Sequence, residues 1–258
     1  MARSKIGLLV ALFALPGAAL AADGVTTYGV GAEHSSGKYG GTQTTDILYV
    51  PFFGKHETGP WAFRLTVPFI RITGPGNVVG AGADRVTLPG GSATRRTKSG
   101  LGDIGGSAFY NVVKERNASF GLDLGAKVKL GTADKDKGLG TGATAYAVQA
   151  DLFKPFGALT TFGSLGYRHY GNFPGLDERN VFYESIGGSY RVSSETSAGL
   201  AYDYRPRITV GGSPISEATA FVSQRLSRDL KMQLYAVKGF SDGSPDFGLG
   251  VVFSYRYQ

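Results

Sequence analysis

The sequence predicts an all-β chain, a single transmembrane antiparallel up-and-down β-barrel of twelve strands, and three observations carry that prediction. About a dozen segments alternate apolar and polar residues, the period of a strand with one apolar and one polar face. The connections between these segments alternate long and short along the chain. Finally, 40 of 258 residues are Gly, and 14 Tyr and 16 Phe stand against a single Trp. Glycine at about twice its ordinary usage and this aromatic content suit sheets and interfacial rings.

The amino end comes first. Arg3 and Lys5 precede the apolar run IGLLVALFAL (6–15), Pro16 and Gly17 break it, and Ala19-Leu20-Ala21 supplies small residues at a cleavage position. This is the pattern of a secretory signal peptide, residues 1–21, leaving a barrel domain of 22–258. The run is too short to cross a bilayer as a helix, and no other stretch approaches about 18 consecutive apolar residues. The chain has no cysteine, which excludes disulfide staples, thiol catalysis and thiolate zinc sites. Its net charge is +7, of which Arg3 and Lys5 supply two. The basic residues sit singly at alternating positions, which argues against nucleic acid. The one tight cluster, RRTK (95–98), reads as part of a solvated loop, with lipopolysaccharide phosphates as the sharper alternative.

Strands are expected near 24–34, 44–53, 61–73, 102–113, 119–131, 143–154, 159–170, 180–192, 196–206, 217–226, 229–239 and 246–257. Their length is what a tilted membrane-crossing strand requires, about 9–11 residues. Pro51 and Pro68 fall inside the second and third and read as bulges or strand ends, because a closed barrel has no free edge for a proline. The fifth is the clearest: Phe120, Leu122, Leu124, Ala126, Val128 and Leu130 alternate with Gly121, Asp123, Gly125, Lys127 and Lys129. In the sixth, Tyr146, Val148, Ala150 and Leu152 oppose Ala147, Gln149 and Asp151. Segment 159–170 mixes its faces. In the eighth, Glu184 shares the apolar face with Phe182, Ile186 and Tyr190, which places it near a rim, where a charge toward lipid costs little. In the ninth, Ala198, Leu200, Tyr202 and Tyr204 oppose Gly199, Ala201, Asp203 and Arg205. The last strand sets Phe247, Leu249, Val251, Phe253, Tyr255 and Tyr257 against Gly248, Gly250, Ser254 and Arg256.

Long connections are expected at 35–43, 74–101, 132–142, 171–179, 207–216 and 240–245, and short ones at 54–60, 114–118, 155–158, 193–195 and 227–228. Outer-membrane barrels have short periplasmic turns, long external loops and an even strand count. A fourteen-strand count stays open if 74–101 hides a hairpin. That loop either folds into the lumen as a constriction or covers the external mouth.

With apolar residues outward to lipid, the inward set is Arg64, Asp123, Lys127, Lys129, Gln149, Asp151, Asp203, Arg205, Arg225, Lys231 and Arg256. These are the expected lumen-lining, solute-contacting residues of a polar passage whose opposed charges bias what passes. Mutually paired charges plugging a small barrel are the alternative. The basic balance of the set hints at anions or carboxylated aromatics. In TADKDKGLGTG (132–142), Asp134, Asp136 and Gly138 resemble part of a calcium loop, but Lys135 and Lys137 oppose a cation, and turn chemistry accounts for these residues. No metal or cofactor site is predicted. Of the three histidines, His34 falls on the outward face beside Ser35 and Ser36, while His56 and His169 have no evident partner. A lipid hydrolase of the twelve-strand type would need a histidine hydrogen-bonded to a serine on a neighbouring strand.

Four blocks carry a family resemblance: RLTVPFIRITGPGNVVG (64–80), SGLGDIGGSAFYN (99–111), KVKLGTADKDKGLGTGATAYAVQADLFKPFG (127–157) and VKGFSDGSPDFGLGVVFSYRY (237–257). With them the chain resembles the outer-membrane putative transporters of the meta-pathway of phenol degradation. The resemblance implies an outer-membrane β-barrel that passes aromatic or other apolar small molecules, and no catalytic or binding residue comes with it. The chain ends Tyr257-Gln258 rather than on an aromatic residue, so the expected signal to the barrel-assembly machinery is displaced by one position.

The expectation is therefore a passive, monomeric channel of the Gram-negative outer membrane, embedded in lipid and lipopolysaccharide. It is not an enzyme and needs no cofactor. A lipid hydrolase and a closed structural barrel are the alternatives.

Overall fold

The computed structural model describes residues 24–88, 94–114, 118–171 and 179–257. The predicted signal peptide lies outside the described residues. Twelve wall strands follow one another: β1 Gly24–Gly37, β2 Thr45–Thr58, β3 Trp61–Gly74, β4 in two segments Arg96–Leu101 and Ile104–Val113, β5 Gly121–Leu130, β6 Ala145–Phe156, β7 Leu159–Tyr170, β8 Val181–Arg191, β9 Thr196–Arg205, β10 Ile215–Arg225, β11 Leu230–Gly239 and β12 Phe247–Tyr257. Each pairs antiparallel with its sequence neighbours, and β1 pairs with β12 from Thr26↔Tyr257 to Ser36↔Phe247, which closes the barrel. Residues 59–60, 157–158 and 226–229 are among the short turns, and 75–95 and 131–144 among the long loops at the opposite end.

Alternation orients the wall. Every strand carries exposed large apolar side chains on its outer face, among them Val30, Phe52, Leu65, Leu124, Val148, Leu165, Ile186, Leu200, Val222, Leu234 and Leu249. A continuous apolar surface of that extent far exceeds what a soluble monomer exposes, and it is the surface a hydrocarbon solvent requires. Aromatic residues gather toward both ends: Trp61 stacks on Phe63 and meets Tyr110 edge-on at the short-turn end, and Tyr167 tilts against Phe182 toward the loop end. Glu184 lies on the outer face, three residues from the loop end of β8 and opposite Tyr204.

The abundance of glycine has a packing cause. Seven glycines on the inner face, Gly29, Gly121, Gly125, Gly166, Gly187, Gly199 and Gly250, are direct cross-strand partners of Phe53, Phe153, Phe109, Tyr183, Phe162, Phe221 and Tyr235. A Cβ at any of these glycines would come within 2.0–2.5 Å of the partner's ring. The rings thus lie over the glycines, the aromatic rescue familiar from sheets.

Several sequence expectations need correction. β2 runs on through Gly54 to Thr58, and the turn is only Gly59-Pro60; the ladder continues past the apolar band, so polar residues extend the strand. For the same reason RRTK is not wholly a loop: Arg96 opens β4 and pairs with Gly74. Pro51 and Pro68 are neither bulges nor strand ends but face each other in register across β2 and β3. Two residues without N–H donors are thereby set at one point of the ladder. Beside Pro68, β4 breaks at Gly102 and Asp103; the Gly102 N–H donates to the Pro68 carbonyl at 2.8 Å, and the Ile104 N–H donates to Thr132 Oγ1 at 2.9 Å. Segment 159–170, mixed in pattern, is a regular strand. The 75–95 loop does hold a hairpin, Val78–Val79 against Val86–Thr87, but it is a separate two-stranded ribbon and adds nothing to the wall.

Candidate functional site

Residues 75–88 of the 75–95 loop fold inward. Val78 and Ala81 pack with the inward Ile47, Ile70 and Ile72, and with Tyr39, Ala133 and Leu139 from neighbouring loops. Val86 and Leu88 pack with Ala145, Tyr170, Val181 and Ile208. Asn77 fastens the loop's entry, accepting from Thr45 Oγ1 at 3.1 Å and donating to the carbonyls of Lys38 and Tyr39 at 3.1 and 3.3 Å. Two apolar clusters therefore seat the loop against the wall at the loop end of the barrel.

At its tip the loop presents two successive opposite charges. Asp84 accepts from Arg168 Nη1 on β7 at 2.5 Å. Arg85 pairs with Glu217 on β10 and donates from Nε to the Gly243 carbonyl at 3.1 Å. Arg205, at the end of β9, donates to the carbonyls of Ala83 and Arg85 at 2.7 and 2.6 Å. Consecutive residues thus engage two different sectors of the wall. Desolvation inside the barrel pushes the Asp84 pKa up, but Arg168 and Lys129 beside it outweigh that and hold it below its ordinary value.

The first sector, β3 to β7, is basic. A cavity of about 180 Å³ there is lined by Tyr49, Arg64, Asp84, Lys127, Lys129 and Arg168, among others. The cations differ in how they are held. Lys129 and Asp103, each 7% exposed, form a 2.6 Å pair, and Lys129 donates further to Thr141 and the Ala143 carbonyl. Arg64 instead lies 3.9 Å over the Phe53 ring. Lys127 donates to Gln149 at 2.6 Å and stands 5.7 Å from the rings of both Phe109 and Tyr183. Such cation–π contacts leave the charge available to a passing anion. The second sector, β9 through β12 to β1, gathers carboxylates toward its loop end. Asp203 and Glu217 are cross-strand partners, and Glu33 accepts from Tyr235 at 2.8 Å.

All the predicted lumen residues lie on the inward faces of their strands, but they do not form one group. Arg64, Lys127 and Lys129 meet at the cavity. Gln149 and Asp151 are hydrogen-bonded to each other at 2.5 Å, and Tyr183 also donates to Gln149. Asp123 accepts from Asn111 at 2.5 Å. Asp203 belongs to the acidic sector, and Arg205 is a buried clamp on the loop. Arg225 faces Lys231 at the short-turn end, and Arg256 pairs in register with Thr27. Sequence reasoning missed Asp84, Arg85, Arg168, Glu217 and Glu33. Arg168 shares the inward parity of Gly166 and Tyr170, a signal hidden by the mixed pattern of its segment; no local pattern announces the loop pair.

The 131–144 loop is turn chemistry: Asp134 Oδ1 accepts the N–H groups of Asp136 and Lys137, both at 3.1 Å, and its other oxygen pairs with Lys137. His34 faces Leu48 and Leu249 across its two ladders, and His169 faces Tyr146. His56 contacts Thr26 at 3.0 Å. None of the three therefore has the cross-strand serine a lipid hydrolase would need.

No protein-family model and no curated protein sequence matches the chain. The resemblance to phenol meta-pathway transporters accordingly has no support from a family model. Among solved structures, the chain is similar to a COG4313 outer membrane channel from Pseudomonas putida F1, at 16% identity and a TM-score of 0.69, over 94% of this chain and 99% of that one. It is also similar to the KdgM porin, at 12% identity and a TM-score of 0.50, over 89% of this chain and 99% of that one. At such identities the likeness is one of fold: a closed twelve-strand antiparallel barrel.

Proposed function

We propose that the chain is an outer-membrane channel that passes small solutes by diffusion through a narrow, basic lumen, preferring anions and, among these, aromatic acids. The observation that carries this reading is the cavity between loop and wall, where Arg64 and Lys127 have aromatic partners rather than carboxylates. Rings of charge bias permeation, and aromatic faces beside cations favour flat, anionic solutes. The fold likeness to an outer-membrane channel supports the channel part of this reading. A monomer in lipid and lipopolysaccharide, delivered by the barrel-assembly machinery, is its natural setting.

The test is single-channel recording of the refolded protein in a planar bilayer under a salt gradient. A stable conductance with anion preference is expected, and cation preference would overturn the proposal. One observation favours a second reading, a plugged structural barrel: the apolar filling around Ile47, Ile70 and Ile72. Silence from a folded barrel would select it.

A further inference from the structure

We infer that Asp84 occupies a carboxylate-binding subsite of the lumen, and that the carboxylate of a small aromatic acid competes with it for Arg168. This inference rests on the channel reading above and assigns its solute a place.

Three observations meet here. First, Asp84 is 41% exposed on the cavity side while Arg168 is only 14% exposed; the cation is built in and its anionic partner is the accessible member. Second, that contact is one of several that hold the loop. Arg85, 2% exposed, is held by Glu217 and the Gly243 carbonyl, and Arg205 grips the loop backbone on both sides of Asp84. The Asp84 side chain can therefore leave Arg168 without releasing the loop. Third, the same cavity carries Arg64 and Lys127, each against an aromatic ring, and Arg168 itself lies 5.6 Å from the Tyr183 ring. A carboxylate on Arg168 would place an attached ring among these groups. The volume, about 180 Å³, exceeds the roughly 150 Å³ of a cavity known to hold benzene. The internal carboxylate thus stands in for the solute's, and keeps the guanidinium paired when the lumen is empty.

Ligand-observed NMR titration of the detergent-folded barrel with sodium benzoate, and with benzyl alcohol as the uncharged control, tests this without requiring conductance. Asp84→Asn should bind benzoate about tenfold more tightly than the parent, the scale of one charged hydrogen bond, with benzyl alcohol unaffected. The gain should vanish in Asp84→Asn/Arg168→Gln. Benzoate affinity unchanged or weakened by Asp84→Asn would overturn the inference, as would a gain that persists without Arg168, or no benzoate binding in either protein. A parent that conducts anions while failing this titration would leave the channel reading standing and remove only the subsite.

Discussion

Toward the loop end the two sides of the lumen present opposite charges and hold them in opposite ways. On the basic side, from β3 to β7, Lys129 is locked to Asp103, whereas Arg64 and Lys127 lean on rings. On the acidic side Glu217 pairs with Arg85, which the loop brings to it, and Glu33 accepts from Tyr235. The loop is thus seated by the field between the walls, with Asp84 toward the cations and Arg85 toward the carboxylates. A like-for-like lumen would have given those adjacent residues no reason to point apart. The difference also separates structural charges from available ones: the former are paired with carboxylates and buried, and the latter rest against aromatic rings.

Breaking the acidic side should have the largest effect. Glu217→Ala strands the buried Arg85 guanidinium, a loss on the order of 3–5 kcal/mol. The loop should then lose its seat, read as a several-fold rise in conductance and new protease cleavage within 75–88. Next comes Lys129→Ala, which leaves Asp103 buried beside the break in β4 and costs a similar or smaller amount. Its melting temperature should fall while ion preference changes little. Lys127→Ala should do the reverse, weakening anion preference while stability stays within about 1 kcal/mol of the parent; if the two lysines behave alike, the division between locked and available cations is wrong.

Acid gives a graded version of the first experiment. The Asp84 pKa is depressed, so its pairing with Arg168 stabilises the loop at and above the ordinary carboxylate value, about 3.9. That contribution is lost as pH falls through the lower folded value. The difference in conductance between the parent and Asp84→Asn should hold steady down to about pH 4 and change only below it. Smallest is Arg225→Ala at the short-turn end, where Arg225 faces Lys231. Removing one of two exposed like charges should move stability by no more than about 0.5 kcal/mol.

The wall was legible in the sequence because alternation is a local property, and one period decides both the strand and its face. Leu122 to Leu130 therefore read correctly, as did the inward placement of Lys127 and Lys129, while Phe120 precedes the strand. The loop was not legible, because its position depends on partners far along the chain: Arg85 meets Glu217 132 positions away, and Arg205 reaches Ala83 across 122. Nor could alternation tell which inward lysine is locked. Lys129 and Lys127 are two residues apart on one face, and only the break at Gly102 and Asp103 distinguishes their surroundings. The proline pair misled for a related reason, since a single strand does not reveal that its defect is matched by its neighbour's.

On the proposed reading, the ring-held cations Arg64 and Lys127 set what the lumen admits. The most direct test is the reversal potential of the parent and of Arg64→Ala/Lys127→Ala in the same KCl gradient. Anion preference is expected in the parent and its loss in the double variant, with the barrel still folded. A cation-preferring parent, or a double variant with undiminished anion preference, would contradict it.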